Sequence, residues 1–560
     1  MSTGPEEDTV MATIRRRLSA AIALGGIAAL ALTACTGPAP SGEGSEAGSG
    51  EGGASSAPIV YGTTDKVTSI DPAGSYDNGS FMLMNQVYPL LLNSAPGSAD
   101  VEPDLAESAE FTSPNEYTVT LPEGLTWANG NTLDSADVKH TFDRQLEIAD
   151  PNGPSSLLGN LESVEAPDPT TVVFTLKEGD DQTFPQVLSS PVGPIVDDET
   201  FPADKLLPDE DIVAAEAFHG QYSIDSYEKN QLVNLVPFDG YQGLLGAPKN
   251  SQASIKYYAD SNNLKLDIQQ GNIDVAARAL TPTDVEDLSG DDNVVVHEGP
   301  GGELRYMVFN FNIMPFGAET EEADEEKSLA VRQAMADLLD REALSEQVYK
   351  GTYTPAYGFI PKEFEGATEP LKEKYGDGEG GPDQDRAAER LEAAGVETPV
   401  ALNLQYNPDH YGPSSGEEYA LVKQHLEAND LFTVNLQSTE WVTYQQDRID
   451  SYPVYQLGWY PDYSDADNYL SPFFAIENFL SNGYVNEEVD QLIAEQRVTP
   501  DADERNEKLG QIQDIVGEEL STLPLLQGAQ VAVSGPDVTG VEDTLDASFK
   551  FRLGAVSKEG

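Results

Sequence analysis

Val454-Tyr455-Gln456-Leu457-Gly458-Trp459 is an apolar run, and Tyr460-Pro461-Asp462-Tyr463-Ser464-Asp465-Ala466-Asp467 turns it into an aromatic and acidic loop. The same rhythm precedes it. Val400, Leu402, Leu404 and Tyr406 alternate as a strand, 417–428 reads as helix, 432–436 as strand and 441–448 as helix. Strands alternating with helices predict parallel α/β units. Open sheets of that kind hold ligands beyond the carboxyl ends of their strands, which makes the loop after Trp459 a candidate binding surface. Trp459 and Tyr460 would set aromatic faces beside the Asp462 carboxylate, a combination suited to a cationic amine. A second reading keeps Trp459 in the core and makes Asp462 and Asp465 turn or cap residues. Local pattern alone does not separate the two.

Further out, Val331, Met335, Leu338 and Leu339 form a helical stripe. Toward the N-terminus the pattern changes to strands at 116–121 and 171–176 around a helix at 136–147, with Val138, Phe142 and Leu146 on one face. No fixed-period repeat is visible. At 560 residues the chain is too long for one core and suits two or three lobes.

The first 57 residues read differently. Arg15, Arg16 and Arg17 precede an apolar run from Leu18 to Leu32, which ends in Leu32-Thr33-Ala34-Cys35. The order is that of a signal peptide, and the run is shorter than the ~20 residues a membrane span needs. Leu-Thr-Ala-Cys resembles the bacterial lipobox, which implies lipidation of Cys35 and loss of residues 1–34. Met11 stands just ahead of the arginines and is a second candidate start. Residues 36–57 are mostly Gly, Ser, Ala and Glu, a flexible tether with a root-mean-square reach of roughly 25 Å.

Composition excludes several functions. The formal net charge is -66, from 97 acidic and 31 basic residues, which repels nucleic acid. Cys35 is the one cysteine, so an intramolecular disulfide and a thiolate metal cluster are both ruled out. None of the five histidines falls in an H-E-x-x-H pair, and there is no Walker phosphate loop. Gly412-Pro413-Ser414-Ser415-Gly416 satisfies G-x-S-x-G, but residues 407–411 separate it from the preceding strand, whereas a nucleophile elbow is a sharp turn. Ser415 reads better as a helix N-cap or loop residue. The Asp462–Asp467 carboxylates lack the spacing and glycine of a calcium loop. No catalytic residue, metal site or cofactor is expected.

Four ordered blocks carry a resemblance to a known family. Asp104-Leu105-Ala106-Glu107-Ser108, Tyr117 to Leu121 and Gly124-Leu125-Thr126-Trp127-Ala128-Asn129-Gly130, continued through Leu133 to Arg144, resemble the signature of the family 5 extracellular solute-binding proteins. Tyr306 to Pro315, Val331-Arg332-Gln333-Ala334 with Asp340 to Leu344, and Gly458-Trp459 through Asn468 resemble its later blocks. The resemblance implies a two-lobed α/β fold of the periplasmic-binding-protein type II class with an extra inserted domain. By analogy the first lobe is 58–95 with 206–304 and 526–560, the insert is 96–205, and the second lobe is 305–525. It also implies a monomeric receptor of an ABC import system at the extracellular face of the cytoplasmic membrane. Such a receptor encloses an oligopeptide by hinge closure and delivers it to permease subunits. In peptide-binding members the aspartate of the Gly-Trp-x-x-Asp-Tyr block pairs with the peptide ammonium. Asp462 takes that place, with Trp459, Tyr460 and Tyr463 around it. No motif identifies the basic residue for the ligand carboxylate. Alternatives on the same fold are a sugar, an opine-like compound or chelated nickel, and a rival of another class is a surface hydrolase using Ser414 or the acidic loop.

Overall fold

The computed structural model describes residues 57–278 and 280–558. Cys35, the signal-peptide segment and nearly all of the tether lie outside them. Two long antiparallel strands, Val295–Phe309 and Thr522–Ser534, organise the rest. They pair from Val295 opposite Ser534 to Gly299 opposite Gln530, lose register, and resume from Glu303 opposite Gly528 to Val308 opposite Thr522. The break falls on Gly299-Pro300-Gly301-Gly302. Pro300 brings no N–H to a ladder. A Cβ on Gly301 would lie 2.0 Å from the Gly528 carbonyl oxygen, so the close crossing there requires glycine.

The two long strands belong to different neighbourhoods on either side of this break. On one side Ala532–Ser534 pair with Val275–Ala277, and the sheet continues through Ile59–Thr63, Ala253–Tyr257, Leu232–Pro237 and Tyr222–Glu228. On the other, Leu304–Phe309 pair with Val454–Trp459, followed by Val400–Tyr406 and Phe432–Ser438. One mixed sheet thus runs through both lobes of the α/β fold, with separate apolar cores against its two halves.

The expected parallel units are present in the second half. Val400–Tyr406 runs parallel to both Phe432–Ser438 and Val454–Trp459, with helices Ser415–Leu426 and Trp441–Asp447 as connections. Val400, Leu402 and Leu404 are buried while Ala401 and Asn403 are exposed, the period-2 burial their spacing predicts. The parallel reading does not extend to the whole sheet, because Val454–Trp459 meets the long crossing strand antiparallel.

A third apolar core lies under a four-stranded antiparallel sheet, ordered Ser108–Ser113, Glu116–Thr120, Thr171–Leu176 and Leu161–Asp168. Helix Ser135–Ile148 packs on it through Val138 and Phe142. Leu146, expected on that face, is 41% exposed. Arg144 is buried instead, with its guanidinium bonded to both carboxylate oxygens of Asp71 at 2.8 and 2.6 Å and to the Pro202 and Lys205 carbonyls. The C-terminal turn of this helix therefore faces an ion pair in a neighbouring element, and a polar contact has displaced the apolar stripe. Among the described residues no helix is long and apolar enough to cross a membrane.

Candidate functional site

Strand Val454–Trp459 is buried along its first four residues and delivers Trp459 opposite Leu304, two residues beyond the glycine crossing. Asn468 then fixes the loop. Its Oδ1 accepts from Trp459 Nε1 at 2.8 Å and from the Asp462 backbone N–H at 2.9 Å, while its Nδ2 donates to Asp462 Oδ2 at 3.1 Å. Asn468 sits on a 3-10 turn, Ala466–Tyr469, capped by the Asp465 side chain. The sequence folds this way because Asp465 caps a free N–H in the first turn, at Asp467, leaving Asn468 aimed back at the strand end.

The other lobe supplies the remaining contact to Asp462. The Tyr76 hydroxyl, between the 3-10 turn Pro72–Gly74 and helix Asn78–Val87, donates to Asp462 Oδ1. All side-chain donors to this carboxylate are neutral, and no ion pair among the described residues includes it. Burial pushes its carboxyl above the usual aspartate range, against the opposing effect of hydrogen bonds from Tyr76 and Asn468.

Two cavities of about 640 Å³ each lie side by side between the lobes and share Asp77, Asn78, Tyr460 and Phe549 as walls. The first is lined by all four residues singled out from sequence, Trp459, Tyr460, Asp462 and Tyr463, together with Tyr76 and Lys550. The second gathers charge that sequence reasoning missed, notably Arg278, Arg305, Asp65 and Glu303. Arg278 has left-handed backbone, φ 62°, unusual for a residue with a side chain. Its guanidinium lies between the Tyr460 and Phe549 rings at 5.7 and 5.2 Å, and its Nε is 3.1 Å from Asp65. Arg305 pairs with Glu303 at 2.8 Å and donates to the Tyr353 hydroxyl at 3.1 Å, and its Nη1 has no hydrogen-bond partner among the described residues. Isolated arginines on separate strands and turns carry no motif, so only the fold brings them together.

The residues of the alternative readings have partners of their own. Asp465 is committed to Arg505 at 2.6 Å, and Asp467 accepts from Ser471 and Gln496, so the acidic loop disperses its carboxylates. Ser415 is the first residue of its helix rather than the cap, and its hydroxyl accepts from Gln456 at 3.1 Å. Ser414 holds the cap position without a side-chain bond and lines the second cavity near His410, whose ring is stacked on Trp441 at 3.8 Å. Among the described residues no hydrogen bond links a histidine to either serine.

Known proteins resemble the chain over most of its length. The glutathione-binding protein GsiB of Escherichia coli strain K12 is 25% identical over 505 residues, covering 88% of this chain and 93% of GsiB. Among solved structures, the ABC transporter substrate-binding protein CtaP of Listeria monocytogenes superposes with a TM-score of 0.76 at 22% identity, covering 90% of this chain and all of CtaP. A dipeptide-binding protein of Pseudoalteromonas sp. SM9913 in complex with Met-Leu gives 0.69 at 20% identity, with 90% and 100% covered. The model of the bacterial extracellular solute-binding proteins, family 5 middle region, matches residues 100–480, a stretch that contains the acidic loop and Asn468. With a half-buried carboxylate that has no ion-pair partner among the described residues at the seam of two lobes, and that match across more than half its length, the chain belongs to the family 5 extracellular solute-binding proteins.

Proposed function

We propose that this solute-binding protein captures short peptides between its lobes and delivers them to the permease of an ABC importer. The observation that carries the reading is Asp462, a half-buried carboxylate between the lobes whose side-chain donors among the described residues are neutral. A charge held that way is costly until a cation arrives, and a peptide ammonium supplies one. Arg278, displayed on a left-handed backbone against Tyr460 and Phe549, takes the peptide carboxylate from the adjoining cavity. Tyr460 and Phe549, shared by both cavities, flank the peptide backbone between its two charged ends.

The glutathione- and dipeptide-binding relatives support this ligand class. The receptor works as a monomer without catalysis, tethered through lipid on Cys35 at the outer face of the cytoplasmic membrane. Its first lobe is 58–95 with 206–304 and 526–560, its insert 96–205 and its second lobe 305–525. The test is calorimetric titration with trialanine, a sugar, an opine and a nickel chelate, together with mass spectrometry of whatever co-purifies. Binding of trialanine without cleavage is the expected result. Binding of only a non-peptide solute would overturn the peptide reading.

A further inference from the structure

The cavity that holds Asp462 also holds its electrostatic opposite. Lys550 is 7% exposed and lines that cavity. Its ammonium donates to Asn93 Oδ1 at 3.2 Å and to Ser189 Oγ at 2.5 Å, both neutral, and no ion pair among the described residues includes it. An ammonium has three donors, so one is left over among the described residues. The two carboxylates that act on it through space, Asp546 and Asp104, are otherwise engaged. Asp546 is bonded to Arg552 at 2.7 Å, and Asp104 accepts from Tyr241, Asn93 and the Leu244 N–H. A buried cation without a carboxylate partner is as costly as a buried carboxylate without a cation.

We infer that Lys550 is a specificity residue, binding the carboxylate of an acidic side chain on the first residue of a peptide whose ammonium sits on Asp462. The inference rests on the peptide reading above and adds a side-chain preference to it. Geometry supports the first residue in particular. The ammonium site and Lys550 line one cavity, whereas Arg278 and Arg305 line the other, so an anion reaching Lys550 comes from near the amino end of the ligand. Ser189 and Asn93 hold the amine from two separate segments, which keeps it in place before ligand arrives. Burial, reinforced by the neighbouring Arg552, also pushes the Lys550 ammonium down to about 7, and an arriving carboxylate would draw a proton back onto it.

Calorimetric titration of Glu-Ala-Ala and Gln-Ala-Ala against the unmodified protein and against Lys550→Met tests this. The two peptides match in shape and differ in one charge. Glu-Ala-Ala is expected to bind the unmodified protein at least about tenfold more tightly than Gln-Ala-Ala, with the gap closing in Lys550→Met. Equal binding of the two peptides to the unmodified protein would overturn the Lys550 assignment while leaving the peptide reading standing. A loss in Lys550→Met that is the same for both peptides would likewise overturn it, because Lys550 would then serve the terminal carboxylate. Failure of both peptides to bind the unmodified protein would overturn the peptide reading itself. Equal binding to the unmodified protein would overturn the assignment even if Lys550→Met does not fold, and Lys550→Gln then supplies the second variant in which the gap should close.

Discussion

The Tyr76 hydroxyl donates to Asp462 across 386 residues of sequence, a hydrogen bond that joins the two lobes beside the cavity both residues line. A hydrogen bond to a charged group contributes about 1.5 to 3 kcal/mol. Tyr76→Phe removes it without changing the ring. The lobes of the unliganded variant should therefore open more often, by roughly tenfold in the equilibrium, which corresponds to about 1.4 kcal/mol. Small-angle scattering should show a larger radius of gyration for the empty variant than for the empty unmodified protein, and the same compact radius for both at saturating peptide. Identical radii in the empty state would mean the bond does not hold the lobes.

Asp462→Asn keeps the shape of the side chain and removes its charge. Peptide affinity should fall at least about tenfold, or 1.4 kcal/mol, with little change in the melting temperature of the empty protein. N-acetylated peptide should bind the unmodified protein poorly and lose little more with the substitution. Calorimetry on both peptides and both proteins closes the cycle, and losses that simply add would remove Asp462 from the ammonium site.

Arg278→Gln supplies the corresponding cycle at the other end of the ligand. Trialanine should bind it at least about tenfold more weakly, while C-terminally amidated trialanine should bind both proteins alike. A matching loss for the amide would assign the carboxylate elsewhere, with Arg305 and its free Nη1 as the next group to test.

Cys35→Ala should release the protein from membranes. One acyl chain holds a protein weakly and reversibly, and stable anchoring takes two signals. Fractionation after a high-salt wash reads the outcome, and a variant that stayed with the membrane would contradict lipidation at this cysteine.

Asp137 makes a pH prediction. Burial lifts its carboxyl from 3.8 to about 7, outweighing the backbone N–H bonds it accepts from Asp134 and Asp198. The folded protein then keeps a proton that the unfolded chain has already released. That stabilising contribution is complete below about pH 4 and is lost as pH rises through about 7. Relative to the unmodified protein, Asp137→Asn should therefore gain stability between pH 5 and pH 8. The readout is the change in the difference between urea midpoints with pH, because loss of the capping bonds adds only a constant offset. A difference that stayed flat would mean that Asp137 is ionised throughout.

Much of the fold was legible because its elements are locally consistent. Val400, Leu402 and Leu404 alternate in sequence and in burial, and the parallel neighbour Val454–Trp459 ends at Trp459 as its apolar run implies. Where local reading failed, a partner distant in sequence had intervened. Leu146 lost the core face of its helix at the turn where Arg144 meets Asp71, 73 residues away. The parallel pattern stopped at Val454–Trp459 because its other neighbour is a crossing strand that begins 159 positions upstream.

The sequence by itself determined the alternation that builds an α/β sheet, the family blocks, and the aromatic loop carrying Asp462, since each is a pattern of residues near one another in the chain. Tertiary structure alone decided what surrounds that carboxylate. Tyr76 precedes it by 386 residues, Arg278 by 184 and Lys550 follows by 88. None of the three carries a motif. Periodicity reports which face of an element turns inward, but an electrostatic site is a sum over charges in space. Whether Asp462 and Lys550 are paired or left waiting for a ligand is settled only once two lobes fold their separate segments onto one cavity.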